Sequence, residues 1–182
     1  MTINDNDIIK TLNASRETGI RMLLSKYQEP LYWHIRRLVV SHDDAQDATQ
    51  ETFVRMFLSL EQFRGDSSLR TWLYRIATNE ALQWLRSKHE MVYIDDEESE
   101  VGPLLDTLLT DSYTETGDAL LLRFQEAILR LPTMQRTVFN LRYYDELPYE
   151  EIALITGSTA ASAKTNYHLA KTKISAIISG NM

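Results

Sequence analysis

Two runs of apolar residues at helical spacing, set close together, constrain this chain more than any other feature. The first takes in Ala45, Ala48, Thr52, Phe53, Met56, Phe57 and Leu60, the i, i+3, i+4 stripe of a helix that buries one face. Phe63-Arg64-Gly65-Asp66-Ser67-Ser68 breaks the pattern. The second run takes in Leu69, Trp72, Leu73, Ile76, Ala77, Ala81, Trp84 and Leu85, and both tryptophans are expected in the core. Off the first stripe fall Asp44, Asp47, Gln50, Glu51 and Arg55; off the second fall Arg70, Thr71, Tyr74, Arg75, Thr78, Asn79, Gln83 and Arg86. One polar face is acidic and amide-bearing. The next is basic, aromatic and rich in hydrogen-bond donors, which suggests two different partners.

Other segments are also helical in pattern, and no strand is expected in the N-terminal half. Asp7–Leu12 and Arg16–Tyr27 read as helices, the second capped by Ser15. Pro30 is expected to restart the chain before the stripe Leu31, His34, Ile35, Leu38 and Val39, and Ser41-His42-Asp43-Asp44 resembles a capping box. Further on, Asp118 is a candidate N-cap for Ala119–Leu131, and Pro132 suits the first turn of the next helix. A short helix from Leu147, a turn at Thr156-Gly157-Ser158 and a longer helix from Ala160 to about Ile177 form a helix-turn-helix pattern, with Ala153 allowing close approach. The expected fold is all-α: two small helical domains, 1–90 and 119–182, joined by an acidic linker, 91–118, with the helix-turn-helix in the second.

Charge supports that division. The net charge is −7, yet residues 1–90 are neutral and residues 119–182 carry +2; residues 91–118 hold nine acidic residues and no lysine or arginine. A basic face can therefore meet phosphates despite the acidic total. Within the linker, Leu104, Leu105, Leu108 and Leu109 stand at helical spacing and could dock on a neighbour. The absence of cysteine excludes disulfides, thiolate metal sites and cysteine nucleophiles. With no signal-peptide pattern and no apolar run of the length a membrane span needs, a soluble, cytoplasmic protein is expected.

Asp44-Ala45-Gln46-Asp47-Ala48-Thr49-Gln50-Glu51-Thr52-Phe53, then Phe63-Arg64-Gly65, then Leu69 to Asn79 resemble region two of the extracytoplasmic-function sigma factors of bacterial RNA polymerase. Leu147 to Lys173 resembles region four of the same family, in the expected order and at the expected distance. The resemblance implies that Asp44, Asp47, Gln50 and Glu51 bind the clamp helices of core polymerase's largest subunit, where an acidic, amide-rich patch suits a basic partner. It also implies that the loop Arg64, Gly65, Asp66, Ser67, Ser68 takes a flipped promoter base. Arg70, Thr71, Tyr74, Arg75, Asn79 and Arg86 supply what a single-strand reader needs: stacking, base-edge hydrogen bonds and phosphate neutralisation. In the second domain the resemblance puts duplex contacts on Ser158, Thr159, Ser162, Lys164, Thr165, Asn166, His168 and Lys171. That helix departs from the family, with Ala163 where a branched apolar residue is usual, and Asn166 and Leu169 near positions usually basic. The expected partners are core polymerase, promoter DNA and an anti-sigma factor; no catalytic residue, metal or cofactor is expected.

Two other classes compete. A helix-turn-helix regulator acting without polymerase would account for the C-terminal half but leave Phe63–Arg86 unexplained. A metal-dependent phosphohydrolase would rest on His42 and Asp43, yet a His-Asp pair ahead of a helix is far more often a cap, and no phosphate loop, nucleophile elbow or zinc signature occurs.

Overall fold

The structure, a computed structural model, describes residues 3–90, 104–107 and 119–180, and every regular element among them is helical. Four helices form the first half: α1 (Asp5–Ala14), α2 (Arg16–Val39), α3 (His42–Ser59) and α4 (Leu69–Glu90), with a 3-10 turn at Leu60–Gln62. Four more form the second: α5 (Ala119–Leu129), α6 (Thr133–Tyr143), α7 (Tyr149–Thr156) and α8 (Ala160–Ser179). Residues 104–107 make a helical turn. The acidic run Asp95–Glu100, the expected N-cap Asp118, and Leu108 and Leu109 lie outside the described residues.

Local chemistry sets most boundaries. Asn4 caps α1 by accepting from Asn6 N at 3.0 Å, and Ser41 caps α3 by accepting from Asp44 N at 3.3 Å. Asp44 makes no reciprocal capping bond and instead pairs with Lys88 on α4. Ser15 stands at the N-cap of α2 but its hydroxyl meets Thr18 Oγ1 rather than a backbone N–H. Gly19 permits the close packing of α2 on α1, because a Cβ there would lie 2.6 Å from the Leu12 backbone.

Pro30 does not restart the chain: α2 runs through it from Arg16 to Val39. The ring is exposed, and the stripe that follows, Leu31, His34, Ile35 and Leu38, is fully buried. Packing of that stripe outweighs the roughly 3 kcal/mol an interior proline costs a helix. At the far end of α2, Val40 takes φ 68°, ψ −46°, with Ser41 N bonding Val39 O at 2.8 Å. This is a strained γ-turn, rare for a β-branched residue. Packing of Val40 against Leu129, Leu104, Leu105 and Leu122 holds it. Leu104 and Leu105 thus dock as their spacing suggested.

The halves share one core. Ile8, Leu23, Leu31, Ile35, Leu38, Met56, Leu69 and Leu73 from the first cluster with Val138, Leu141, Leu147, Ile152 and Ile155 from the second. The seam is made by α4 against α7 and by α2 against α6. A smaller cluster of Ala127, Ile128, Leu131, Phe139, Ala170 and Ile174 holds α5, α6 and α8 together.

Candidate partner and nucleic-acid interfaces

The amphipathic period of α3 leaves Asp47, Gln50 and Glu51 exposed on one side, with Asp44 half-buried at its start. The same side continues into Val54 and Leu58, 42% and 78% exposed, at steps of four, three and four from Asp47. Neither apolar residue stood out in the sequence, although their falling off the buried stripe was a readable signal. Behind the patch, Arg55 is held between two acids: Nε lies 2.6 Å from Glu80 Oε1 and 3.6 Å from Glu51 Oε1. Glu80 is buried on α4. Burial raises its carboxyl above the ordinary value, and the opposing pull of Arg55 does not cancel it.

The loop between the 3-10 turn and α4 is built for exposure. Gly65 takes φ 79°, a left-handed conformation that glycine adopts without steric cost, and nothing lies within 4 Å of where a Cβ would be. Arg64, Gly65, Asp66 and Ser68 are exposed, while Ser67 is half-buried. Ser68 starts α4 by accepting from Thr71 N at 3.0 Å, and Phe63 and Trp72 anchor the loop with ring centroids 5.2 Å apart. From there Arg75, Asn79, Gln83 and Arg86 form one exposed ridge along α4.

Thr71 and Tyr74, expected on that polar face, are buried, each only 2% exposed. Thr71 turns its hydroxyl to Ser68 Oγ at 2.8 Å. Tyr74 faces the second half of the molecule, because α4 is covered on one side by α2 and α3 and on another by α7. Its hydroxyl donates to Asp145 Oδ1 at 3.3 Å, and burial together with the Asp145 charge pushes its ionisation well above the usual phenol range. Arg70 is half-buried beside it and donates to the Asp145 carbonyl.

In the helix-turn-helix, Gly157 closes α7 in the left-handed region (φ 67°, ψ 31°), and Thr159 caps α8 by accepting from Ser162 N at 3.1 Å. Lys164, Thr165, His168 and Lys171 present one exposed ridge on α8. Ser158, Ser162 and Asn166 are half-buried: the Ser158 hydroxyl meets Thr156 Oγ1 at 2.8 Å, and Asn166 Nδ2 donates to Ser162 O at 3.0 Å. Ala163 is fully buried against the core, so the small side chain is what lets α8 approach it. His42, in the first turn of α3, places Nδ1 2.7 Å from the Tyr32 hydroxyl. Among the described residues no three histidines or carboxylates gather into a metal-ligating group, and no helix is long and apolar enough to cross a membrane.

A four-helix unit bearing an acidic face and a basic face, followed by a helix-turn-helix, defines a two-part transcription factor of the sigma class. Family comparison agrees: residues 23–90 match sigma-70 region 2 and residues 121–174 match sigma-70 region 4. The sigma-E factor of Haemophilus influenzae is 30% identical, with 94% of each chain covered. SigW of Bacillus subtilis is 29% identical, with 88% of this chain and 89% of that one covered. The chain belongs to the extracytoplasmic-function RNA polymerase sigma factors. Its fold matches CnrH, solved in complex with the cytosolic domain of CnrY, at a TM-score of 0.71 and 18% identity over 98% of this chain and 99% of that one. It also matches RpoE of Bartonella quintana, solved with the anti-sigma factor NepR, at 0.69 and 21% over 87% and 96%. The match across region 2 accounts for Phe63–Arg86, which the simple-regulator reading leaves unexplained.

Proposed function

We propose that this sigma factor divides its work among three surfaces and carries no covalent chemistry of its own. The face of α3 made by Asp44, Asp47, Gln50 and Glu51, extended by Val54 and Leu58, docks on basic helices of core polymerase; acids supply charge complementarity and the two apolar side chains supply buried area. The loop Arg64–Ser68 and the ridge Arg75, Asn79, Arg86 read the single-stranded proximal promoter element. The ridge Lys164, Thr165, His168, Lys171 meets the distal element as duplex. The observation that carries this reading is the continuity of the exposed loop with the exposed ridge of α4, a path of side-chain donors with no exposed acidic residue between Asp66 and Arg86.

An anti-sigma factor completes the list of partners, as in the complex of RpoE with NepR. A groove of about 1570 Å³ between α2, α3 and α5, lined by Trp33, Phe53, Val54, Phe57 and Leu121, offers such a partner a concave apolar surface that overlaps Gln50. One protein bound there would compete with polymerase. With core polymerase as its partner, the chain works in the cytoplasm.

The test is co-purification. Asp47→Lys with Glu51→Lys is expected to abolish capture of core polymerase while circular dichroism stays native, since both side chains are exposed. Retained capture would sink the assignment of this face.

A further inference from the structure

Among the described residues, an acid from the second half gathers hydrogen bonds across the seam. Asp145, 7% exposed, follows α6 and is surrounded by groups from α2 and α4. His34 Nδ1–H donates to Oδ2 at 2.9 Å, with Nε2 of the same ring 2.8 Å from Thr78 Oγ1. Arg37 Nη1 donates to Oδ1 at 3.4 Å and the Tyr74 hydroxyl to the same oxygen at 3.3 Å. Arg70 takes the main-chain carbonyl. The turn that delivers Asp145 is itself held under strain: Glu146 takes φ 54°, and Leu147, fully buried, bonds back to Leu141 O at 3.0 Å.

One guanidinium, an imidazole N–H and a phenol on the carboxylate, with a second guanidinium on the adjoining main-chain carbonyl, leave a positive surplus. This donor set is also the one that binds the oxygens of a phosphodiester. A cleft of about 330 Å³ opens over Arg37, Arg70, Tyr74 and Asp145, so this side of the cage faces solvent while His34 lies fully buried behind it, and Glu29 is the one acidic residue besides Asp145 in the cleft lining. Tyr74 and Arg70 stand one and five residues before Arg75 on the same helix, so a strand that runs along the exposed ridge to the N-terminal end of α4 would bring its backbone close to this point.

We propose that His34, Arg37, Arg70 and Tyr74 form a binding site for a backbone phosphate of single-stranded promoter DNA, and that Asp145 fills it in the free chain as an intramolecular stand-in. Binding the strand then requires the second half to leave, and a chain without polymerase is held closed over part of its own DNA-reading face. His34 and Arg37 lie on α2, outside every residue that the sequence pointed to for DNA. The inference rests on reading the α4 ridge as the single-strand face.

The test uses the full chain, which has no native cysteine, with a dye pair at Arg21→Cys and Lys173→Cys, both exposed. A single-stranded oligonucleotide should lower energy transfer in the otherwise wild-type chain, because it displaces Asp145. Asp145→Ala should lower transfer without DNA and tighten oligonucleotide binding on the order of tenfold, as expected for removal of a competing buried charge with several donors. Arg37→Ala in that background should take the gain away. Asp145→Asn, nearly isosteric, should act in the same direction if the alanine variant is poorly folded. An Asp145 variant that opens without binding more tightly overturns the proposal, as does an oligonucleotide that binds the wild type with transfer unchanged. If the α4 reading itself is wrong, no oligonucleotide binds in either state and Asn79→Ala is silent. If only the stand-in is wrong, binding depends on Asn79 and is indifferent to Asp145.

Discussion

Removing Arg75 should change how binding responds to salt, and by an amount that follows from counting cations. Arg64, Arg75 and Arg86 are the exposed guanidiniums along the loop and ridge, and in the proposed function each neutralises one phosphate. Each phosphate contact to a single strand contributes a slope of about −0.7 in log affinity against log salt. The three contacts of loop and ridge by themselves weaken binding about 20-fold between about 50 and about 200 mM salt, and two weaken it about 7-fold; a phosphate held by Arg37 and Arg70 adds equally to both slopes. Arg75→Ala should therefore flatten the slope by about 0.7 and lower affinity alike for all sequences. Asn79→Ala and Ser67→Ala should leave the slope unchanged and alter which base is preferred, since base-edge contacts specify while phosphate contacts position. The assay is fluorescence anisotropy of polymerase bearing each variant, titrated with a fork template at several salt concentrations. Equal, sequence-independent losses with the same slope for Arg75→Ala and Asn79→Ala would refute the division of roles.

Other perturbations test the framework beneath the site. Gly19→Ala should destabilise the first half: helix propensity favours alanine by about 1 kcal/mol, but the new Cβ meets Leu12 backbone at 2.6 Å, and overpacking of that kind typically costs about 1 to 3 kcal/mol. A melting temperature at or above wild type would show that α1 can move aside. Glu80 has a raised carboxyl, so the stability linked to it is present in acid and is lost as pH rises through its folded value. Glu80→Gln should thus compare better with wild type in urea melts at neutral pH than at about pH 4.5, near the ordinary carboxyl range; the reverse order would mean that the Arg55 ion pair dominates. Asn140→Leu should be neutral or stabilising, because the buried Asn140 amide has no hydrogen-bond partner among the described residues. A clear loss of stability would point to an interaction of that amide outside these residues.

What the sequence made legible was whatever one helical period determines. The stripes of α3 and α4, the cap at Ser41 and the turn at Gly157 follow from local spacing and local hydrogen bonds, and α8 ends within two residues of its expected limit. Pro30 was misread because a local rule cannot weigh the buried stripe that follows it. Thr71, Tyr74 and Glu80 were out of reach for a different reason: a period assigns one buried face, whereas α4 is packed by α2 and α3 on one side and by α7 on another. Asp145 carried no signal, since its partners His34 and Tyr74 are 111 and 71 positions away and no pattern links them.

The central claim is that this chain directs core polymerase to start at particular places. The most direct measurement supplies purified core polymerase with the chain and a library of genomic fragments, and maps the 5′ ends of the transcripts. The account predicts starts that appear only when the chain is present, share a pair of sequence elements upstream, and disappear with Asp47→Lys and Glu51→Lys. Transcript ends no different from those of core polymerase alone would contradict it.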